Sequence, residues 1–154
     1  MAFGLFLYLH SYTRWLVIIF ALLAIGRAFL GWFGRRPWTV VDSRLGLLFT
    51  ISFDIQVLVG AILYFFLSPL TTAALRNFGA AMKNDLFRFF SVEHMAIMLV
   101  AAVIAHVGRA LSRKANSDQG RFKRAAIFYT LAIVLVLAAI PWPALSFGRP
   151  LLRF

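Results

Sequence analysis

Residues 9–33 read LHSYTRWLVIIFALLAIGRAFLGWF, an apolar run interrupted by few charges. A helix needs about 20 mostly apolar residues to cross a bilayer. The run is too long for the apolar core of a secretory signal, and Arg35 and Arg36 follow it where a cleavage site would have small residues. It therefore predicts a retained transmembrane helix.

Three more apolar runs of similar length follow, at residues 46–67, 87–110 and 125–146. Hydrophobic residues make up 62% of the 154-residue chain and charged residues 14%, whereas soluble domains are about 45–50% apolar. A soluble chain of this size has too little interior to bury so much apolar surface. The sequence predicts one domain, residues 1–154, that is an all-α integral membrane bundle of four helices.

Basic residues are distributed unevenly between the connections, and this predicts an orientation. The side of the bundle that carries the first and third connections has eight of them, and the other side has four. Lys and Arg accumulate on the cytoplasmic side, so the bundle is predicted to run up-down-up-down with both termini external. Topology and anionic lipid headgroups explain the net charge of +11, so nucleic acid is not an expected partner. The eight are Arg35, Arg36, Arg44, Arg113, Lys114, Arg121, Lys123 and Arg124, and the four are Arg76, Lys83, Arg149 and Arg153.

The external connection between the second and third spans has a pattern of its own. It begins with Ser68 and Pro69, alternates apolar and polar residues and reaches Gly79, which predicts a short helix over residues 70–79 lying on the outer membrane surface. Asn84 or Asp85 is suited to cap the third span. A Pro-Trp-Pro sequence starting at Pro141 is predicted to end the fourth.

Ionisable residues inside the spans are few, and they fall at two depths. His10 and His94 stand near the starts of the first and third spans, where two imidazoles on facing helices are able to ligate one haem b iron. Arg14 and Arg88 are near enough to neutralise haem propionates. The alternative is that His10 is satisfied by water or headgroups and His94 by Ser91. The chain has no cysteine, which excludes covalently attached haem and iron–sulfur clusters.

A second set of polar residues is predicted to form an inner layer. It suggests a hydrogen-bonded cluster between helices, as a proton path or the edge of a quinone pocket. The interpretation that we favour is structural, with Asp54 paired to Arg27 or Arg109. The set consists of Arg27, Asp54, Gln56, His106 and Arg109.

The chain resembles, over nearly its whole length, a small bacterial family of four-helix membrane proteins commonly labelled cytochrome b-like. The resemblance implies His10 and His94 as haem ligands and electron transfer in a membrane. Four-helix cytochromes b with two haems use four histidines, and this chain has three. The residues that carry the resemblance are His10-Ser11-Tyr12-Thr13-Arg14-Trp15, Asp54-Ile55-Gln56 with Gly60 and Tyr64, Phe90-Ser91-Val92-Glu93-His94, His106-Val107-Gly108-Arg109 and Ile140-Pro141-Trp142-Pro143.

These observations favour an electron-transfer subunit with one bis-histidine haem near the outer face of the bacterial inner membrane, rather than a stand-alone enzyme. A quinol or another redox protein is the expected electron donor, and other membrane subunits are expected partners. The alternative is a cofactor-free structural or assembly subunit of a larger respiratory or photosynthetic membrane complex. Ion transport is the weakest hypothesis, because no inverted repeat or interrupted helix pair is visible.

Overall fold

The computed structural model describes residues 2–151; Met1 and residues 152–154, including Arg153 of the predicted external tail, lie outside the described part. Within it the chain forms helices and no strand. The helices are α1 (Ala2–Phe33), α2 (Val40–Ile62), α3 (Pro69–Arg76), α4 (Phe78–Ala81), α5 (Asp85–Arg88), α6 (His94–Arg113) and α7 (Asp118–Ala139), with π-helical segments at Leu63–Leu67 and Phe89–Glu93.

Four continuous helical segments are long and apolar enough to cross a membrane, which confirms the predicted all-helical membrane bundle. They are Ala2–Phe33, Val40–Leu67, Asp85–Arg113 and Asp118–Ala139. The second and third include the π-helical segments, which continue α2 and precede α6 without a break.

The second and fourth spans begin earlier than predicted because their capping residues lie outside the apolar runs. Thr39 and Asp42 form a capping box at the start of α2, and the Ser117 side chain accepts a hydrogen bond from the Gly120 N–H at the start of α7. Asn84 caps α5 by accepting from the Phe87 N–H, which confirms one of the two predicted caps of the third span. Such polar starts are invisible to a hydropathy window.

The fourth span ends at Ala139, so the predicted helical stretch over residues 140–146 is not helical. Ile140 is extended, with φ −69° and ψ 131°, because a residue before proline is pushed out of the helical region. The chain then turns back, and the Arg149 N–H donates to the Pro141 carbonyl at 3.0 Å.

The predicted helix over residues 70–79 is present but shorter. Ser68 caps α3, Pro69 occupies its first turn, and α3 ends at Arg76. Asn77, rather than Gly79, interrupts the helix and caps α4. Thr71 and Ala74 are buried, so α3 packs back onto the bundle through one face.

The bundle is closely packed at one end, which we call the packed end and define by Gly31, Gly46, Gly108 and Phe122. A Cβ on Gly31 or on Gly108 would overlap the Phe122 or the Phe128 side chain, and one on Gly46 would lie 2.6 Å from the Tyr129 hydroxyl. Small residues let helix backbones approach closely in membranes. The opposite end, around His10, Tyr64, Ser91 and Ile140, is open, and we call it the cavity end.

Candidate cofactor site

The cavity end encloses a space of about 700 Å³ between all four spans. This volume lies within the range of small-molecule and cofactor sites, about 300–1,000 Å³. Its wall is mostly apolar, with a few polar side chains that converge on it. The polar and charged residues of the wall are His10, Ser11, Arg14, Gln56, Tyr64, Ser68, Thr71, His94 and Arg149.

Both π-helical segments lie at this cavity, and side-chain hydroxyls join the first segment to the second and to α3. The Tyr64 hydroxyl donates to the Ser91 carbonyl at 2.8 Å, and the Thr71 hydroxyl donates to the Tyr64 carbonyl at 2.7 Å. A π-helical turn inserts an extra residue and changes which side chains face the core, and such turns are frequent at functional sites. The two insertions accompany the widening of the bundle here.

His94 is held by the end of α7. Its Nδ1 lies 2.8 Å from the Ala139 carbonyl, which can only accept, so Nδ1 carries the proton. Ala139 is the last residue of α7, and carbonyls in the last turn have no helical partner. The contact satisfies one of these carbonyls and leaves Nε2 with its lone pair. A histidine that ligates a metal is commonly oriented in this way.

His10 is held by Gln56 on α2. The Gln56 amide nitrogen lies 3.2 Å from His10 Nε2 and 3.0 Å from the His10 carbonyl, while the Thr13 hydroxyl donates to the Gln56 side-chain oxygen. His10 Nδ1 is buried without a hydrogen-bond partner among residues 2–151. Its ring edge faces Gly60, where a Cβ would lie 3.0 Å from Cε1.

The two imidazoles lie close together on the wall of the cavity. Their ring centres are 6.3 Å apart and their planes are inclined at 67°. Metal–imidazole bonds of about 2.0–2.1 Å on both sides of one ion place the ring centres about 6 Å apart. Among the described residues, His94 Nε2 and His10 Nδ1 have no hydrogen-bond partner, and His10 Nε2 accepts from the Gln56 amide. The two rings therefore bring imidazole nitrogens to one cavity between α1 and the third span.

One of the two cations that the sequence predicted for this cavity lines it, and the other does not. Arg14 does line it and donates to the Leu151 carbonyl. Arg88 lies outside it: this side chain is 42% exposed and pairs with Asp85 at 2.9 Å and Glu93 at 2.7 Å. Its place on the cavity wall is taken by Arg149.

Arg149 reaches the cavity because the segment after α7 folds back over it. Its guanidinium carbon lies 5.2 Å from the Phe90 ring centre, and Phe147 stacks on Phe89 with ring centres 4.0 Å apart. The Trp15 indole N–H donates to the Leu151 carbonyl at 3.3 Å. The sequence could have indicated this position, because Arg149 follows the predicted end of the fourth span at Pro141 and belongs to the same side of the bundle as His10.

The structure divides the predicted inner set into separate contacts. Gln56 belongs with His10, as described. Arg27 pairs with Asp42 at 2.9 Å rather than with Asp54. Asp54 lies 3.2 Å from His106 Nε2, and Arg109 has a buried Nε without a partner among the described residues. The cause is the helical period, since Asp54 and Gln56 are two residues apart and so point to opposite sides of α2.

Comparison of the chain with protein-family models, with curated proteins and with solved structures gave no match. The sequence did not predict that Arg149 lines the site. It also did not predict a role there for Gln56, Gly60 or Tyr64, which lie on α2 or on the π-helical segment that follows it.

Proposed function

We propose that this protein is a membrane-embedded b-type haem protein that transfers electrons, with His10 and His94 as the axial ligands of one haem. The observation that carries the proposal is the pair of imidazoles with ring centres 6.3 Å apart in a cavity of about 700 Å³. A bound haem supplies reversible one-electron oxidation and reduction of its iron.

The protein's residues would hold and tune such a group. The Ala139 carbonyl, which accepts from His94 Nδ1, fixes the ring orientation and raises the basicity of Nε2. Gln56 also holds the His10 ring, but its amide donates to Nε2 itself, so ligation through Nε2 requires that amide to move away. Arg14 and Arg149 suit two propionates, because guanidinium groups form charge-assisted hydrogen bonds with carboxylates. The apolar wall excludes water and so shifts the reduction potential.

We also propose the up-down-up-down topology with both termini on the outer side of the bacterial inner membrane. Support comes from the excess of Lys and Arg in the first and third connections. The haem would then lie near the outer face, and a membrane-soluble quinol or an external redox protein would be the donor. Fusing a reporter active only outside the cytoplasm to the C-terminus tests the orientation.

A reduced-minus-oxidised optical spectrum of the mildly extracted protein, together with its iron content, tests the haem proposal. We expect one low-spin b-type spectrum in the wild type and its complete loss in His94→Ala and His10→Ala. His106→Ala is the matched control, because His106 is half-exposed, away from the cavity, and its loss should leave the spectrum intact. A colourless, iron-free wild type contradicts the proposal, as does loss of the spectrum only in His106→Ala.

One observation favours the second candidate, a subunit of a larger membrane complex without a cofactor of its own. The Asp54 and His106 side chains are 58% and 47% exposed on the surface of the bundle, and ionisable groups within a span seldom face lipid. Contact with another subunit would cover them. Co-purification with a respiratory or photosynthetic complex, followed by isolation of a colourless chain, would support this candidate over the haem protein.

A further inference from the structure

A second, smaller cavity lies at the packed end of the bundle, between the end of α1 and the start of α2. Its volume is about 180 Å³. Two arginines and the Thr39 residue form its polar side, and Leu30, Pro37 and Phe122 belong to its apolar side. It is separate from the cavity that holds His10 and His94.

The charge in this cavity is only partly compensated. Arg27 donates to Asp42, whose side chain is 2% exposed, and its Nη2 lies 3.5 Å from the Thr39 hydroxyl. Asp42 therefore neutralises one of the two arginines. The exposed Arg36 side chain forms no hydrogen bond or ion pair with another residue of the described range 2–151. The cavity wall therefore has an excess of one positive charge.

The backbone returns Arg36 to this cavity through an unusual turn. Arg35 has φ 47°, in the left-handed region that a residue other than glycine rarely adopts. The Gly34 N–H donates to the Leu30 carbonyl at 3.0 Å and the Arg36 N–H to the Gly31 carbonyl at 3.1 Å. These bonds close the end of α1 and turn the chain sharply.

Aromatic residues mark the depth of the cavity relative to a bilayer. Trp32 stacks on Phe33 with ring centres 5.0 Å apart, and Trp38 packs against Phe122 at 4.7 Å. Tryptophan is concentrated at the level of lipid headgroups. A cationic cavity at this depth, with an apolar floor, has the chemistry of a site for an anionic lipid headgroup.

We propose that this cavity binds the phosphate of an anionic phospholipid, held by Arg36 and Arg27, with the lipid's glycerol and upper acyl chain against Leu30 and Pro37. Arginine suits the group because its planar fork donates two parallel hydrogen bonds to phosphate oxygens. The proposal does not depend on haem binding at the other end.

Native mass spectrometry of the full chain, titrated with phosphatidylglycerol or phosphatidylcholine, tests this. We expect one phosphatidylglycerol to be retained in preference to phosphatidylcholine, and Arg36→Gln to weaken its binding about fivefold, the effect of about one interfacial charge. Arg113→Gln is the matched control, since Arg113 ends α6 and lies outside the cavity. It should change binding by less than about twofold.

Equal weakening by Arg36→Gln and Arg113→Gln would overturn the proposal, because the lipid would then respond only to overall charge. Displacement of the lipid by an equal concentration of inorganic phosphate would overturn the lipid assignment and leave a free-phosphate site. If Arg36→Gln does not fold, Arg36→Lys replaces it. This variant keeps the charge but loses the fork, so an intermediate loss of affinity is expected and an unchanged affinity contradicts the role of Arg36.

Discussion

The two ends of this bundle are built from the same four spans, but one end is closely packed and the other contains a large cavity. At the packed end, aromatic side chains fill the space left by Gly31, Gly46 and Gly108. At the cavity end, both the second and the third span contain a π-helical segment, and about 700 Å³ remains open. The contrast indicates that close packing at the packed end contributes more to the stability of the bundle than the packing at the cavity end.

The largest expected effect comes from adding a methyl group at the packed end. Gly108→Ala places a Cβ against the Phe128 side chain, and overpacking of this kind costs about 1–3 kcal/mol in free energy of unfolding. Gly26→Ala is the same change within α1 at a position where nothing lies within 4 Å of the new atom. It should be neutral or stabilising by up to about 1 kcal/mol, because glycine disfavours helix.

Unfolding by sodium dodecyl sulfate in mixed micelles, followed by circular dichroism, measures both variants. If Gly108→Ala is as stable as Gly26→Ala, the side chains around Gly108 have room to move away from the added methyl group. The packed end would then not be more tightly packed than the cavity end.

The next effect concerns the polar contact that ties α1 to α2 at the packed end. Asp42→Asn removes the ion pair with Arg27 at 2.9 Å and weakens the capping box with Thr39. A lost cap and a weakened buried hydrogen bond together predict a loss of about 1–2 kcal/mol in free energy of unfolding.

Asp85→Asn is the matched control in the same assay. Asp85 also stands in the first turn of a helix and pairs with an arginine, but its side chain is 69% exposed. Exposed ion pairs contribute little, so this variant should unfold like the wild type. A larger loss from Asp85→Asn than from Asp42→Asn would show that the polar contacts of the cavity end matter more.

Hydropathy and charge were enough to predict the four spans from the sequence. They were not enough to predict which side chains meet at the cavity, because this depends on helix rotation and on a segment that folds back. Four apolar runs identify four helices, because a span must bury its backbone polar groups in its own hydrogen bonds. The placement of Gln56 beside His10, and of Arg149 rather than Arg88 on the cavity wall, could not be derived in this way. The first depends on which side of α2 faces α1, and the second on a segment that turns back after Pro141.

A smaller effect should distinguish the tyrosines of the two ends. Tyr64→Phe removes the hydrogen bond to the Ser91 carbonyl at 2.8 Å between the π-helical segments, at a cost of about 1 kcal/mol in free energy of unfolding. Tyr129→Phe is the control at the packed end, where the hydroxyl lies against Gly46. It should cost less, because among the described residues no hydrogen bond is lost. The reverse order would mean that the π-helical segments do not depend on their hydroxyl contacts.

The smallest effect tests whether the Asp54–His106 pair stabilises the bundle at all. The His106 Nδ1 lies 2.9 Å from the Ala102 carbonyl and carries one proton, so the contact of Nε2 with Asp54 at 3.2 Å requires one more proton between them. Polar pairs between membrane helices contribute about 0.6 kcal/mol on average. A double-mutant cycle with Asp54→Asn and His106→Gln should give a coupling energy near that value in micelles. A coupling several times larger would mean that this half-exposed pair, and not the packed end alone, holds α2 to the third span.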